Sequence, residues 1–193
     1  DERGTEQVAG ELVSGNYFDV LGVTAAIGRT LTPADDRTPG GHPVTVLSHG
    51  YWLRRFGGSP GVLNRAVSVN GQPLTIVGVA APGFNGVAVG SAPDLFVPLM
   101  MKKQMTPTWD RLFERRARWI NVVARLKPGM RPDRAGVAMQ VLYKQILQAD
   151  LADFSGGSER FRREFAAKTV QLLPGATGLS PIRSQIRTPL FLL

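Results

Sequence analysis

Few side chains in this chain of 193 residues are of a type and spacing that could do chemistry. Two histidines, His42 and His49, flank a β-branched run, and two acids stand side by side at Asp35 and Asp36. Neither histidine has a second ligand at metal-binding spacing, so we interpret His42 as a loop residue and His49 as a first-turn helix residue. Adjacent side chains do not face the same way, so the two acids indicate a helix start or loop solvation rather than a catalytic carboxylate pair.

The chain carries no pattern for thiol or phosphate chemistry. It has no cysteine, which excludes disulfides, thiolate zinc sites and cysteine nucleophiles. Its 22 glycines form no Walker-type loop, and no Gly-x-Gly-x-x-Gly lies between a strand and a helix. We therefore predict no catalytic residue, no metal or cofactor-binding residue and no cofactor. An enzyme would need a buried pocket that converges on His42 or His49.

A basic cluster offers a different chemistry, the binding of phosphate groups, and the net charge of +8 agrees with it. The cluster contains four arginines, Arg111, Arg115, Arg116 and Arg118. Two tryptophans beside it, Trp109 and Trp119, could stack on bases. However, Trp119 opens an apolar run, and no RNP-like, helix-turn-helix or zinc-finger signature accompanies the cluster. We expect no nucleic-acid partner, and keep a ferredoxin-like ligand- or nucleic-acid-binding module using Arg111–Arg118 as the alternative.

Short strands and turns dominate the first hundred residues. Alternating and β-branched residues predict strands at 6–13, 44–48, 66–70, 73–79 and 93–99. Asn70-Gly71 is the residue pair of a tight hairpin turn between two of them. Prolines bound the last strand, at Pro93 and Pro98, and predict that it lies at a sheet edge.

One helix in this region is predicted from its cap and its apolar face. Ser48 can cap a helix over residues 49–56. Trp52 and Phe56 lie four residues apart, with Leu53 beside them, and this spacing predicts a face that packs on a sheet. We therefore expect Trp52 and Phe56 to be core anchors.

The second half of the chain predicts a strand–helix–helix–strand run. Its elements are a strand at 119–126, a helix from 132 to about 151, a shorter helix at 159–167 and a strand at 169–173. This run is half of a split β-α-β, ferredoxin-like unit, and 6–13 could be the last strand of its missing half. The strand-rich segment 27–117 then reads as an insertion with its own core, which gives an α+β fold.

Five segments in order resemble a known family. They are 13–22 with Gly28-Arg29, 44–58 with its Tyr-Trp-Leu-Arg-Arg-Phe-Gly-Gly run, 69–84, 93–99 with its Pro-Asp-Leu-Phe-Val-Pro-Leu run, and 122–129 with the helix behind it. Together they resemble the periplasmic core domain of MacB-like ABC transporter permeases, of the FtsX-like permease superfamily. The Tyr-Trp-Leu-Arg-Arg-Phe-Gly-Gly run is most similar to the acidobacterial-type orphan permeases.

The resemblance implies a domain organisation. It divides the chain into a porter-like subdomain, 1–26 plus 118–175, whose first half is missing, and an inserted sabre-like subdomain, 27–117. Residues 176–193 would be a linker and the start of the next membrane helix, with the apolar residues 190–193 as its stub. No run of this sequence is long and apolar enough to span a bilayer by itself.

The resemblance also implies a location and partners. The domain would lie outside the bacterial cytoplasmic membrane, on the periplasmic side, and would have no catalytic activity of its own. Its partners would be the membrane helices of the same polypeptide, a second permease copy in a dimer, a cytoplasmic ABC ATPase, and in some systems a periplasmic partner protein. The implied work is the coupling of ATP hydrolysis to movement outside the membrane, for efflux or signalling.

Overall fold

Six strands form one mixed sheet in the first of two units. The computed structural model describes residues 4–114, 117, 119–153, 156–176 and 178–179. One unit contains the described residues up to Leu112 together with 178–179, and the other lies between Phe113 and Thr177. The strands of the first unit are β1 (Gly10–Val13), β2 (Ala25–Gly28), β3 (Val44–Leu47), β4 (Ala66–Val69), β5 (Gln72–Ala80) and β6 (Leu95–Pro98).

The strand order is β1-β6-β3-β5-β2, and β4 also pairs with β5. β1 runs parallel to β6, and β3 runs parallel to β5, whereas the other neighbours are antiparallel. The helices of this unit are α1 (Tyr17–Leu21), α2 (His49–Phe56) and α3 (Lys102–Met105). Three 3₁₀ turns complete it, at Pro33–Asp36, Pro60–Val62 and Leu99–Met101.

The sheet is buried on both faces because successive side chains of a strand point to opposite sides. Leu47 belongs to a core cluster that includes Tyr51 of α2, and its neighbour Val46 belongs to a second cluster that includes Phe18 of α1. α2 and α1 therefore cover opposite faces. The second cluster is rich in aromatic contacts, such as the edge-to-face pair of Phe18 and Phe96 with ring centroids 5.3 Å apart.

The helix predicted at 49–56 and the hairpin predicted at Asn70-Gly71 are both confirmed, and each is stabilised by residues next to it in sequence. The Ser48 side chain accepts a hydrogen bond from the Tyr51 amide, and Gly57 ends α2 with a left-handed φ of 61°. Asn70 and Gly71 have φ values of 51° and 77°, as a two-residue hairpin turn between β4 and β5 requires. The α+β class is also confirmed.

The predicted edge position of β6 is wrong. β6 lies between β1 and β3, with paired strands on both sides. Its prolines do not interrupt the ladder, because Pro93 precedes the strand and Pro98 is its last residue. The sequence also gave no prediction of β2, a four-residue strand whose pairing with β5 contains a bulge.

In its described residues, the second unit contains two helices, α4 (Pro132–Ala152) and α5 (Glu159–Ala167), as predicted. The Lys144 ammonium donates to the Ala166 carbonyl, and the Val170 amide donates to the Gln140 side chain at 3.1 Å. Leu147 of α4 and Phe165 of α5 are buried. These contacts hold the two helices together.

The strands predicted for this unit are not formed in its described residues. Residues 119–126 and 169–173 belong to no strand. The strand that was expected beside them, β1, pairs with β6 in the other unit instead. A strand needs a hydrogen-bonded neighbour, so two strand-like sequences without one remain irregular.

Among the described residues, no helix combines the length and the hydropathy that a bilayer span needs. The predicted membrane stub, residues 190–193, lies outside the described part of the chain.

Candidate functional site

The two histidines do not form a site. His42 lies in the loop before β3, and His49 is the first residue of α2, with its ring 5.3 Å from that of Trp52. β3 lies between them, so the two residues are beyond opposite ends of one strand. No group of three or more His, Cys, Asp or Glu side chains in the described residues is placed to hold a metal ion.

The adjacent acids hold two different segments of the first unit. Asp35 receives two hydrogen bonds from the Arg29 guanidinium, at 2.6 and 2.8 Å. It also accepts from the Thr32 amide and hydroxyl, both at 2.8 Å, and so closes the start of the 3₁₀ turn at Pro33–Asp36. The interpretation of these acids as a helix start is confirmed.

The environment of Asp35 favours its ionised form. Partial burial by itself would raise the pKa of this carboxyl, but the hydrogen bonds from Arg29 and Thr32 outweigh burial and lower the pKa to about 2. Asp35 is therefore fully charged at neutral pH. A carboxylate held in this way stabilises a turn and is a poor general base.

Asp36 bridges the residues that follow two strands. One oxygen accepts from the Gly15 amide at 3.1 Å, and the other accepts from the Met100 amide at 2.8 Å. Gly15 follows β1 by two residues, and Met100 follows β6 by two residues. A single carboxylate thus joins the ends of two parallel neighbours.

Asp94 performs the equivalent task where the same two strands begin. Its carboxylate accepts from the Ala9 amide at 3.0 Å and from Arg54 of α2 at 2.8 Å. Its backbone amide donates to the Ala9 carbonyl at 2.7 Å, and its carbonyl accepts from the Ser48 amide at 2.9 Å. This one residue connects the starts of β1 and β6 to α2.

The segment before β1, residues 4–9, is fastened to α2 a second time. The Glu6 carboxylate accepts from the Tyr51 hydroxyl at 2.9 Å and pairs with Arg55 at 3.1 Å. Burial, followed by the hydrogen bond to Glu6, raises the pKa of Tyr51 to about 12. The Tyr51 hydroxyl is therefore a neutral donor that holds Glu6 in place.

A buried lysine lies below one of the tryptophans proposed for base stacking. Lys102 is 2% exposed, and its ammonium lies 4.3 Å from the Trp109 ring centroid and 3.0 Å from the Trp109 carbonyl. Burial lowers the pKa of Lys102. Arg111 lies 6.0 Å from the same ring. Arg115, Arg116 and Arg118 lie outside the described residues, so the phosphate-binding stripe has no described geometry.

The sequence matches a family defined by the description MacB-like periplasmic core domain, over residues 1–142. The chain belongs to this family. It thereby belongs to the periplasmic domains of ABC transporter permeases, as the ordered motifs predicted. No curated protein matches the chain significantly.

The solved structures similar to this core domain include the following three. The extracellular domain of the noncanonic ABC-type transporter YknZ from Gram-positive bacteria is 25% identical, with a TM-score of 0.39 over 49% of this chain. The periplasmic region of MacB from Actinobacillus actinomycetemcomitans is 16% identical, with a TM-score of 0.49 over 76% of this chain. A domain of a protein assigned as a permease from Porphyromonas gingivalis is 19% identical, with a TM-score of 0.44 over 74% of this chain. The chain spans 45%, 66% and 60% of their respective lengths.

Several residues of the family-like motifs have a structural task in this MacB-like core domain. A Cβ at Gly15 would lie 2.4 Å from the Thr32 carbonyl oxygen, and one at Gly78 would lie 2.0 Å from that of Arg29. These glycines let the loop of Arg29 and Thr32 approach the turn between β1 and α1, and also β5, closely. Both glycines lie in the motifs that carry the resemblance, but their close backbone contacts are not visible in the sequence.

Sequence reasoning also missed Asp36, Asp94 and Glu6 as acceptors that hold backbone segments. The groups from which the Asp94 carboxylate accepts belong to Ala9 and Arg54, which are 85 and 40 residues away in sequence. The partners of Asp36, Gly15 and Met100, lie 21 and 64 residues away in sequence. Tyr51, which donates to Glu6, lies 45 residues away. No local pattern could reveal partners at these separations.

Proposed function

We propose that this chain is the extracytoplasmic domain of an ABC-type permease. It couples ATP hydrolysis in the cytoplasm to mechanical movement outside the membrane, for efflux or signalling, and has no catalytic activity of its own. The family match over residues 1–142 carries this proposal. Three carboxylates of the described residues support the proposal, because Asp35, Asp36 and Asp94 each accept hydrogen bonds from groups of the same chain. These acids therefore hold chain segments together.

The proposed partners are those of a permease. They are the membrane helices of the same polypeptide, a second permease copy, a cytoplasmic ABC ATPase and, where the system has one, a periplasmic partner protein. The two units then correspond to the sabre-like and porter-like parts. We move the proposed boundary from 118 to 113 and put β1 on the sabre-like side, because β1 pairs with β6. Residues 176–193 lead towards the next membrane helix in this proposal.

The test uses the permease polypeptide that carries this domain, reconstituted with its ATPase in lipid nanodiscs. Because this domain has no cysteine, Ser91→Cys at an exposed loop position gives one spin label per domain. Distances between the labels of two copies are measured without nucleotide, with ATP bound to an ATPase variant that does not hydrolyse it, and with ATP during turnover by the active ATPase. We expect the distance distribution to shift when ATP binds.

An unchanged distribution, with ATP binding verified, contradicts the coupling. A single copy per nanodisc contradicts the dimer. The double variant His42→Ala with His49→Ala tests whether the two histidines of the chain take part in the coupling. Its nucleotide-dependent shift should equal that of the parent.

A further inference from the structure

β1 and β6 are joined by the backbone hydrogen bonds of their ladder and by further hydrogen bonds beyond both ends of the ladder. Inside it, Gly10–Val13 pair in parallel register with Leu95–Pro98. Where the strands begin, Ala9 and Asp94 exchange hydrogen bonds, with the Asp94 amide donating at 2.7 Å and the Asp94 carboxylate accepting at 3.0 Å. Where they end, the Asp36 carboxylate accepts from Gly15 on one side and Met100 on the other. The two strands are therefore cross-connected at both ends.

Each end of this pair is also anchored to the body of the unit. At the beginning, Asp94 binds Arg54, while Glu6, ahead of β1, binds Tyr51 and Arg55, all on α2. At the end, the Met100 carbonyl accepts from the Gly40 amide at 2.8 Å. β6 is further paired with β3 on its other side. The connections join the strand pair to the buried sheet.

The parallel orientation decides how such a pair responds to force. The chain enters β1 at the end of the pair where Ala9 and Asp94 lie, and it leaves β6 at the opposite end, where Met100 lies. A pull applied between these two points slides β1 along β6. Sliding loads every ladder hydrogen bond and both carboxylate bridges at once, so they must break together. A pull on both strands from the same end breaks the hydrogen bonds one after another.

We propose that β1 and β6, with Asp94 and Asp36, form a shear clamp that carries load between the chain before β1 and the chain after β6. The proposed function supplies only the origin of the load. The clamp itself is a property of this unit and is measured on the isolated chain.

The experiment is single-molecule force spectroscopy on the 193-residue chain with two attachment geometries. Thr5→Cys with Lys103→Cys, both at exposed positions, pulls the strands past each other. Thr5→Cys with Ser91→Cys, also exposed, pulls the starts of both strands apart. At equal loading rate, we expect the rupture force in the first geometry to exceed that in the second. Equal forces, or a larger force in the second geometry, would overturn the clamp.

Side-chain variants then test the carboxylate bridges. Asp36→Ala and Asp94→Ala should each lower the rupture force in the sliding geometry. The matched control is Asp133→Ala, which removes an exposed ion pair with Arg131 in the other unit and should leave that force unchanged. Circular dichroism checks that each variant is folded. If Asp36→Ala or Asp94→Ala does not fold, the comparison of geometries in the parent chain still decides the clamp.

The two proposals can fail separately. A domain that shows the high sliding force but no nucleotide-dependent movement in the permease retains the clamp and loses the coupling function. A domain that moves with ATP but ruptures at equal force in both geometries retains the coupling function and loses the clamp.

Discussion

Asp35 is the residue at which acid should most directly weaken this fold. Its pKa is about 2 in the folded chain, against 3.8 for an ordinary aspartate. A lowered folded pKa means that the ion pair with Arg29 stabilises the fold above about pH 4, and that this contribution is lost as the pH falls towards about 2. Asp35→Asn should lower the free energy of unfolding at pH 7 by about 1–2 kcal/mol, since the Arg29 side chain is half exposed. Urea unfolding from pH 7 to pH 2 measures both effects.

Asp133→Asn is the control for this prediction. Asp133 also pairs with an arginine, but its side chain is 62% exposed and that of Arg131 is 76% exposed. Its removal should change neither the stability nor the acid dependence noticeably. If Asp35→Asn keeps the acid dependence of the parent, the pair with Arg29 contributes nothing to it.

Gly78 is the residue at which added volume should cost most. A Cβ there would meet the Arg29 carbonyl oxygen at 2.0 Å, and this atom belongs to backbone that cannot rotate away. Gly78→Ala should therefore lower the free energy of unfolding by about 1–3 kcal/mol. Gly10→Ala is the matched control in the same sheet, because nothing lies within 4 Å of a Cβ at that position. Chemical denaturation of both variants gives the comparison, and equal stabilities would mean that the Arg29 loop yields.

Among the elements, those defined by neighbouring residues were predictable. The cap at Ser48 and the turn at Asn70-Gly71 act within a few residues, so the sequence shows them directly. The position of β6 in the sheet depends on its pairing with β1, and the paired residues are 85 positions apart in sequence. No local sequence pattern contains that information. The carboxylate bridges escaped prediction for the same reason, since Asp36 meets Met100 across 64 residues.

α2 shows how an apolar pattern can identify a face and still misplace its centre. Trp52 and Phe56 pack against the core but are only partly buried, and Leu53 is 50% exposed. Tyr51, 7% exposed, is the residue at the centre of the buried face. A helix face is a stripe about 100° wide, and Tyr51 lies within it with its ring buried and its hydroxyl hydrogen-bonded to Glu6.

This arrangement predicts the order of alanine effects along α2. Tyr51→Ala should lower the free energy of unfolding by about 3–5 kcal/mol, because it empties a buried aromatic site. Trp52→Ala should cost less, about 1–3 kcal/mol, in proportion to its smaller buried area. Leu53→Ala is the exposed control and should change stability by less than about 1 kcal/mol. Guanidinium unfolding ranks the three variants, and a larger loss for Trp52→Ala than for Tyr51→Ala would contradict the placement of the buried face.

At the scale of the whole molecule, the two units have cores of very different size. In the described residues, fifteen buried apolar side chains belong to the sheet unit, and three, Ala135, Leu147 and Phe165, belong to the helical unit. α4 also exposes large apolar residues, among them Val137 at 68% and Val141 at 56%. Burial of apolar surface is the main favourable contribution to folding, so the helical unit should be much the less stable of the two.

We therefore expect the isolated chain to unfold in two steps, the helical unit first. Differential scanning calorimetry should show two transitions, and hydrogen exchange should show weaker protection for amides of α4 and α5 than for those of β3 and β5. Phe165→Ala should lower only the first transition, because Phe165 is 7% exposed within the helical unit. Phe96→Ala should lower only the second, because Phe96 is fully buried in the sheet unit. If either variant moves both transitions together, the two units unfold as one cooperative body.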